Sequence, residues 1–168
     1  MLTFLLGGAR SGKSSLALRL AAAAGAPVVF VATGEAGDDE MAERIARHRA
    51  ERPADWTTVE EPRELEAALA SAPPDACVVI DCLSLWVANV FESGTDVERR
   101  ADAVAAAAAA RPGRTIAVSN EVGLGVVPVT PLGRSYRDCL GRVNATWAAH
   151  ADDAFFVVAG KALRLSDV

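Results

Sequence analysis

Near the start of the chain, the run Gly7-Gly8-Ala9-Arg10-Ser11-Gly12-Lys13-Ser14 fits the spacing G-x-x-x-x-G-K-[ST]. The residue types suit one task, the cradling of a polyphosphate. Glycines let successive backbone N–H groups turn inward around phosphate oxygens. A helix beginning at Lys13 would add the partial positive charge of its N-terminus. Lys13 can then reach the β- and γ-phosphates, and the Ser14 hydroxyl can ligate Mg2+. A carboxylate closing a nearby apolar strand should complete the metal site, and Cys77-Val78-Val79-Ile80-Asp81 supplies one in Asp81. Asp81 also suits a helix N-cap for the segment starting near Leu83, and the two roles are compatible.

A second chemical feature lies between Asp38 and Pro53. The segment opens with acids, closes with bases and stops at proline, so both ends match a helix dipole. Met41, Ile45 and His48 share one face of that helix. Arg44 and Arg52 fall a turn to either side of His48, and Arg47 and Arg49 flank it in sequence. Nearby positive charge lowers a histidine pKa and keeps the imidazole neutral and nucleophilic, and it also attracts a triphosphate. The helix C-terminus pulls the other way. A structural histidine, with the arginines on a solvated face paired to Glu40, Glu43 and Glu51, is the competing reading.

The elements that must hold these groups follow from alternating apolar runs and helical segments, the pattern of a parallel sheet covered by helices on both faces. Strands are expected at 2–6, 28–32, 56–59, 77–80, 115–119 and 154–158, with a short last strand at 162–165 after a turn at Gly160-Lys161. The runs at 28–31, 78–80 and 155–158 are apolar throughout, as in central strands buried on both faces. Helices are expected over 13–24, 38–51, 62–70, 83–91, 96–110 and 131–150. Within the fifth, the alanines from Ala105 to Ala110 are ordinary helix formers.

Composition narrows the function classes. The 168 residues fit one nucleotide-binding domain spanning 1–168, and no linker or repeat divides them. The net charge of -5 argues against a nucleic-acid surface. Three cysteines, none in a Cys-x-x-Cys pair, make a disulfide framework or a zinc site poor readings and point to a reducing cytoplasm. No signal peptide and no membrane-spanning apolar stretch is evident.

Four blocks together resemble the bifunctional adenosylcobinamide kinase / adenosylcobinamide-phosphate guanylyltransferase family. They are the phosphate loop; Asp39-Glu40-Met41 with Arg44-Ile45 and His48; Arg52-Pro53-x-x-Trp56; and Asn120-Glu121-Val122-Gly123-x-Gly125-Val126-Val127-Pro128. Arg137-Asp138 with Gly141-Arg142-Val143-Asn144 follows at the spacing the family shows. The resemblance implies a RecA-like P-loop sheet, a trimer or other homo-oligomer, and ATP and GTP as co-substrates with Mg2+. It implies that His48 takes GMP from GTP and passes it to adenosylcobinamide phosphate. Lys13, Ser14 and Asp81 would serve phosphorylation of adenosylcobinamide.

Nucleotide contacts are then expected from Gly7, Gly8, Ala9, Arg10, Ser11, Gly12, Lys13 and Ser14. Ala32-Thr33-Gly34, Arg49-Ala50-Glu51-Arg52, Glu60 and Asp81 complete that set. Asn120, Glu121, Gly123 and Gly125 are candidates for substrate contact, because ligands of parallel sheets bind beyond the carboxyl ends of the strands. A flexible connector is the plain alternative for that loop. Arg134, Arg137 and Arg142 either meet substrate phosphate or face water. Gly34 and Gly37 would permit the histidine helix to move. A small-molecule kinase with a structural His48, or a RecA-like nucleotide switch, remain as other readings of the phosphate loop.

Overall fold

The computed structural model describes residues 1–91 and 94–166, with the side chain of Arg44 outside the described part. Seven strands form one sheet: β1 (Leu2–Gly7), β2 (Val28–Ala32), β3 (Thr57–Glu60), β4 (Cys77–Asp81), β5 (Thr115–Asn120), β6 (Asp153–Val158) and β7 (Lys161–Arg164). Their order is β3-β2-β4-β5-β1-β6-β7. Every pairing from β3 to β6 is parallel, and only the β6–β7 hairpin is antiparallel. The mostly parallel fold expected from the apolar runs is therefore the one observed.

Six helices connect the strands: α1 (Lys13–Ala22), α2 (Asp39–Ala50), α3 (Leu65–Ser71), α4 (Leu83–Phe91), α5 (Val97–Ala110) and α6 (Pro131–His150). Local chemistry fixes their starts. The side chains of Asp38, Asp96 and Thr130 accept from the backbone N–H of Met41, Arg99 and Gly133 at 2.8, 3.1 and 3.1 Å, each an N-cap. The third helix begins at Leu65 and not at Pro62 as expected. The Glu61 carboxylate draws the N–H groups of Arg63 and Glu64 into a turn at 3.0 and 2.9 Å, which delays the helix.

Alternation along the strands splits the core in two. Leu2 and Phe4 of β1 and Val78 and Ile80 of β4 face one side, where α3, α4, α5 and α6 cover them. Leu5, Cys77 and Val79 face the other, under Ala17 and Ala21 of α1. The alanine-rich α5 buries Ala101, Val104, Ala105 and Ala108 completely, because small side chains let it lie close to its neighbours. All three cysteines are free and buried.

The run at 155–158 departs from expectation. Phe155 and Phe156 are only partly buried and Val158 is exposed. The helices concentrate over β1, β4 and β5, so β6 has a neighbouring strand on each side without a helix over both faces.

Candidate active site

The sheet register brings the polar strand ends into one row. Ala32 lies opposite both Glu60 and Asp81, and Gly7 lies opposite Asn120. The carboxyl ends of β3, β2, β4, β5 and β1 thus open onto the same edge, where the switch in strand order leaves a crevice.

Between β1 and α1 the chain turns tightly. Gly12 has φ 100°, a left-handed value that favours glycine, and it forms the N-cap of α1. A Cβ on Gly7 would run into the backbone carbonyl of Val157 and lie 2.7 Å from Ser11 Oγ, so only glycine fits where the loop leaves the sheet. Lys13 is buried, and its Nζ donates to the Gly8 carbonyl at 3.0 Å. Ala9 and Arg10 are exposed at the crest of the loop, while the Ser11 hydroxyl is buried without a partner among the described residues. From behind, the N–H of Gly160 in the β6–β7 turn donates to the Ser11 carbonyl at 2.9 Å.

Above this loop is a cleft of about 300 Å³. Lys13, Ser14, Asp81 and Asn120 form its floor; Met41, Ile45, His48, Arg49, Arg52 and Glu60 form the opposing wall; Ala32, Gly34, Ala36, Cys82 and Leu85 complete it. The histidine helix and the phosphate loop therefore share one cavity. His48 lies on the apolar face of α2 with Met41 and Ile45, as the spacing predicts. Its side chain is 34% exposed, with Nδ1 4.0 Å from Glu51 Oε2.

Burial raises the Asp81 carboxyl above its ordinary range. The Ser14 hydroxyl, His48, Lys13 and Arg52 oppose that shift. Arg52 lines the cleft, with its guanidinium carbon 3.8 Å above the Phe30 ring and an N–H directed to Thr58 Oγ1 at 3.4 Å. Burial lowers its pKa, with Asp81 and Glu60 acting the other way and Arg49 reinforcing. Guanidinium nevertheless keeps its proton in proteins, so Arg52 is a partly desolvated fixed cation. Arg49 pairs with Glu60 at 2.7 Å on the exposed rim, a contact of small energetic weight.

Several sequence candidates lie elsewhere. Thr33 is fully buried; its Oγ1 donates to the Cys82 carbonyl at 2.7 Å and accepts from the Cys82 N–H at 2.8 Å, fastening β2 to the end of β4. Ala50 and Glu51 end α2 on its exposed side, and Arg47 also faces outward, so Arg49 and Arg52 are the described arginines that line the cleft. The Glu121 carboxylate accepts from the N–H groups of Gly123 and Leu124 and so holds its own loop; Gly123 and Gly125 lie outside the cleft lining. Gly34 packs under α2, where a Cβ would lie 3.4 Å from Ile45.

Sequence reasoning missed the support behind Asn120. Its Nδ2 donates to Ser84 Oγ at 2.7 Å, its carbonyl accepts from Asn144 at 3.1 Å, and Asn144 in turn accepts from Ser119 at 2.6 Å. Tyr136 adds a 2.8 Å bond to the Ser84 carbonyl. Asn144 lies in one of the recognised blocks, but nothing in the spacing shows which way its amide points.

The family model described as cobinamide kinase / cobinamide phosphate guanyltransferase matches residues 3–165. The chain belongs to that family. The chain is 47% identical over 163 residues to the bifunctional adenosylcobalamin biosynthesis protein CobP of Pseudomonas aeruginosa, covering 95% of this chain and 94% of the relative. It is 38% identical over 181 residues to the bifunctional adenosylcobalamin biosynthesis protein CobU of Salmonella typhimurium, with 98% and 99% covered. Among solved structures it resembles a prototypical ATPase from the type III secretion system of pathogenic bacteria, at a TM-score of 0.61 and 14% identity. That likeness covers 92% of this chain but only half, 50%, of the ATPase chain, and it shows the P-loop fold alone.

The family's two activities, phosphorylation of cobinamide and guanylyl transfer to cobinamide phosphate, place the protein in adenosylcobalamin biosynthesis with ATP or GTP as substrate. The readings as a kinase alone or as a nucleotide switch are thereby set aside. Among the described residues no helix is long and apolar enough to cross a membrane.

Proposed function

We propose that the single cleft serves both reactions, with the phosphate loop holding the nucleotide and His48 acting as the transient carrier of GMP. The observation that carries this reading is the presence of His48, Arg52, Lys13 and Asp81 around one cavity of about 300 Å³. In guanylyl transfer the His48 ring nitrogen attacks the α-phosphorus of GTP. The bond to the bridging oxygen breaks and pyrophosphate leaves with the electron pair. A phosphate oxygen of cobinamide phosphate then attacks the phosphoramidate, frees His48 and yields cobinamide-GDP. This divides one transfer into two easier steps. Arg52 and Arg49 are suited to stabilise charge on the transferring group. In the kinase reaction the aminopropanol hydroxyl of cobinamide attacks the γ-phosphorus, the bond to the β–γ bridging oxygen breaks, nucleoside diphosphate leaves with that electron pair and the hydroxyl proton passes to water, while Lys13 and the loop N–H groups bind the phosphates.

The oxygen donors at the cleft floor fit Mg2+. Asp81 is a desolvated carboxylate with the Ser14 hydroxyl beside it, a hard-ligand pair for a small divalent cation whose remaining positions are filled by phosphate and water. When bound, the ion would neutralise charge on the phosphates. Lys13, Ser14, Ala32, Gly34, Glu60 and Asn120 line the cleft and would contact the nucleotide, with the phosphate-loop residues 7–12 supplying backbone donors beside it. Residues 1–168 would act as one transferase domain. The three free cysteines favour a cytoplasmic setting. A homo-oligomer, with a trimer as the family resemblance implies, is supported by the edge strand β7, which has one free edge, with Leu163 on it and Leu165 just after it exposed.

The test separates the two half-activities. His48→Asn should phosphorylate cobinamide at a rate within about threefold of the native protein, because less than about 1 kcal/mol of kinase barrier depends on the ring. It should form no cobinamide-GDP. Loss of both activities in a folded variant, or retention of both, would contradict the assignment.

A further inference from the structure

Cobinamide carries a broad corrin macrocycle with largely apolar faces and an amide-rich rim, much larger than a nucleoside. The cleft, at about 300 Å³, lies at the lower end of the size range for small-molecule pockets. A triphosphate on the phosphate loop would fill it. Only the aminopropanol arm, or its phosphate, can enter beside the nucleotide, so the macrocycle must rest outside.

The surface next to the cleft has an unusual character. Six of the ten exposed large apolar side chains among the described residues lie in the segment 122–132: Val122, Leu124, Val126, Val127, Val129 and Leu132, at 39, 80, 95, 58, 93 and 54% exposure. No charged residue interrupts residues 122–133. The segment is tethered at both ends. Glu121 accepts from the N–H groups of Gly123 and Leu124, and Arg134 donates to the carbonyls of Pro128 and Val129, each at 3.0 Å. These bonds hold both ends of the segment, and its apolar side chains remain exposed. A cluster of exposed apolar side chains within one short segment is the kind of surface that marks a binding site. The loop also grows directly out of Asn120, which lines the cleft.

We propose that the 122–129 loop is the platform for the corrin ring of cobinamide and cobinamide phosphate, with the aminopropanol arm passing Asn120 to reach the nucleotide. This rests on the proposed reading of the cleft as the nucleotide site. The β7 edge, with its own exposed Leu163 and Leu165, is a separate apolar patch available for contacts between copies. The loop is therefore assigned to the substrate. Its face offers dispersion and desolvation to a flat apolar ring and no charge that would have to be stripped of water.

Val126→Ser with Val129→Ser tests the platform. Both side chains are almost fully exposed, so the fold does not depend on them. Cobinamide is coloured, and its binding to the GTP-loaded protein can be read by equilibrium dialysis without any turnover. The double variant should bind cobinamide at least about tenfold more weakly, with the corrinoid KM raised in parallel. Its affinity for GTP and its molecular mass in solution should stay those of the native protein. Unchanged corrinoid affinity would overturn the proposal, and so would weakened binding accompanied by a fall in molecular mass, which would make a second copy the occupant. Failure of the cleft reading looks different: the native protein would bind cobinamide but transfer neither phosphate nor GMP to it.

Discussion

Replacing Asp81 by asparagine should move stability and activity in opposite directions. The carboxylate lies at the end of β4, where burial is the largest influence on it and raises its pKa. Lys13, His48 and Arg52 contribute only part of the charge needed to offset desolvation. The unfolded chain gives up this proton at lower pH than the folded chain does. The cost to folding is absent below the unfolded pKa, grows as pH rises toward the folded pKa, and is complete above it. An amide of the same shape escapes that cost. Asp81→Asn should therefore have a higher Tm than the native protein in metal-free buffer at pH 7.5, each 1 kcal/mol gained reading as about 2–4 °C for a chain of this size. The gap should close on titration to pH 3. With saturating Mg2+ and GTP the order should reverse, since ligand at about 100 times Kd adds about 2.7 kcal/mol to the protein that binds it. Kinase turnover in the variant should fall at least about 100-fold, as loss of a metal contact removes several kcal/mol of charge stabilisation. Differential scanning calorimetry and a coupled kinase assay read both quantities. A metal-free Asp81→Asn protein with unchanged or lower Tm would refute the reasoning from desolvation.

Gly7→Ala should destabilise the fold by about 1–3 kcal/mol and weaken nucleotide binding, because its Cβ would overlap the Val157 carbonyl; chemical denaturation with GTP titration checks both. Asn144→Leu should cost about 1–3 kcal/mol, since Ser119 Oγ and the Asn120 carbonyl would lose their buried partner. That cost would appear as a lower denaturation midpoint. Tyr136, the only tyrosine in the chain, has its pKa pushed up to about 12 by burial. Its phenolate absorbance should therefore appear well above pH 10 in the folded protein. The unfolded chain loses that proton first, so stability should fall as pH rises from about 10 toward 12. A phenolate transition near 10 with the fold intact would contradict the burial argument.

Much of the architecture can be read from the chain because the signals are redundant. The apolar runs at 28–32 and 77–81 are strands by composition, and the phosphate loop demands a strand before it and a helix after it. Parallel strands put their carboxyl ends at one edge, and the observed register aligns Glu60, Ala32 and Asp81 there. The face of α2 was legible too, since i, i+4, i+7 spacing places Met41, Ile45 and His48 together. Side-chain bonds to backbone were not legible. The Thr33 side chain fastens the ends of β2 and β4, and Glu121 and Glu61 each close a turn that composition alone does not reveal. Arg47 and Arg49 differ by half a helical turn, which decides that one faces water and the other the cleft rim. Burial of β6 depends on where the helices lie over the sheet, and no local pattern encodes that.

Carriage of GMP on His48 is tested most directly by a covalent trapping experiment. The protein is incubated with Mg2+ and GTP labelled at the α-phosphate, denatured, and digested under alkaline conditions, and the modified peptide is sequenced by mass spectrometry. A GMP adduct is expected on the imidazole of His48 that survives base, is lost in acid, and disappears on adding cobinamide phosphate as cobinamide-GDP forms. A protein that makes cobinamide-GDP with no adduct, or with the adduct on another residue, would contradict it.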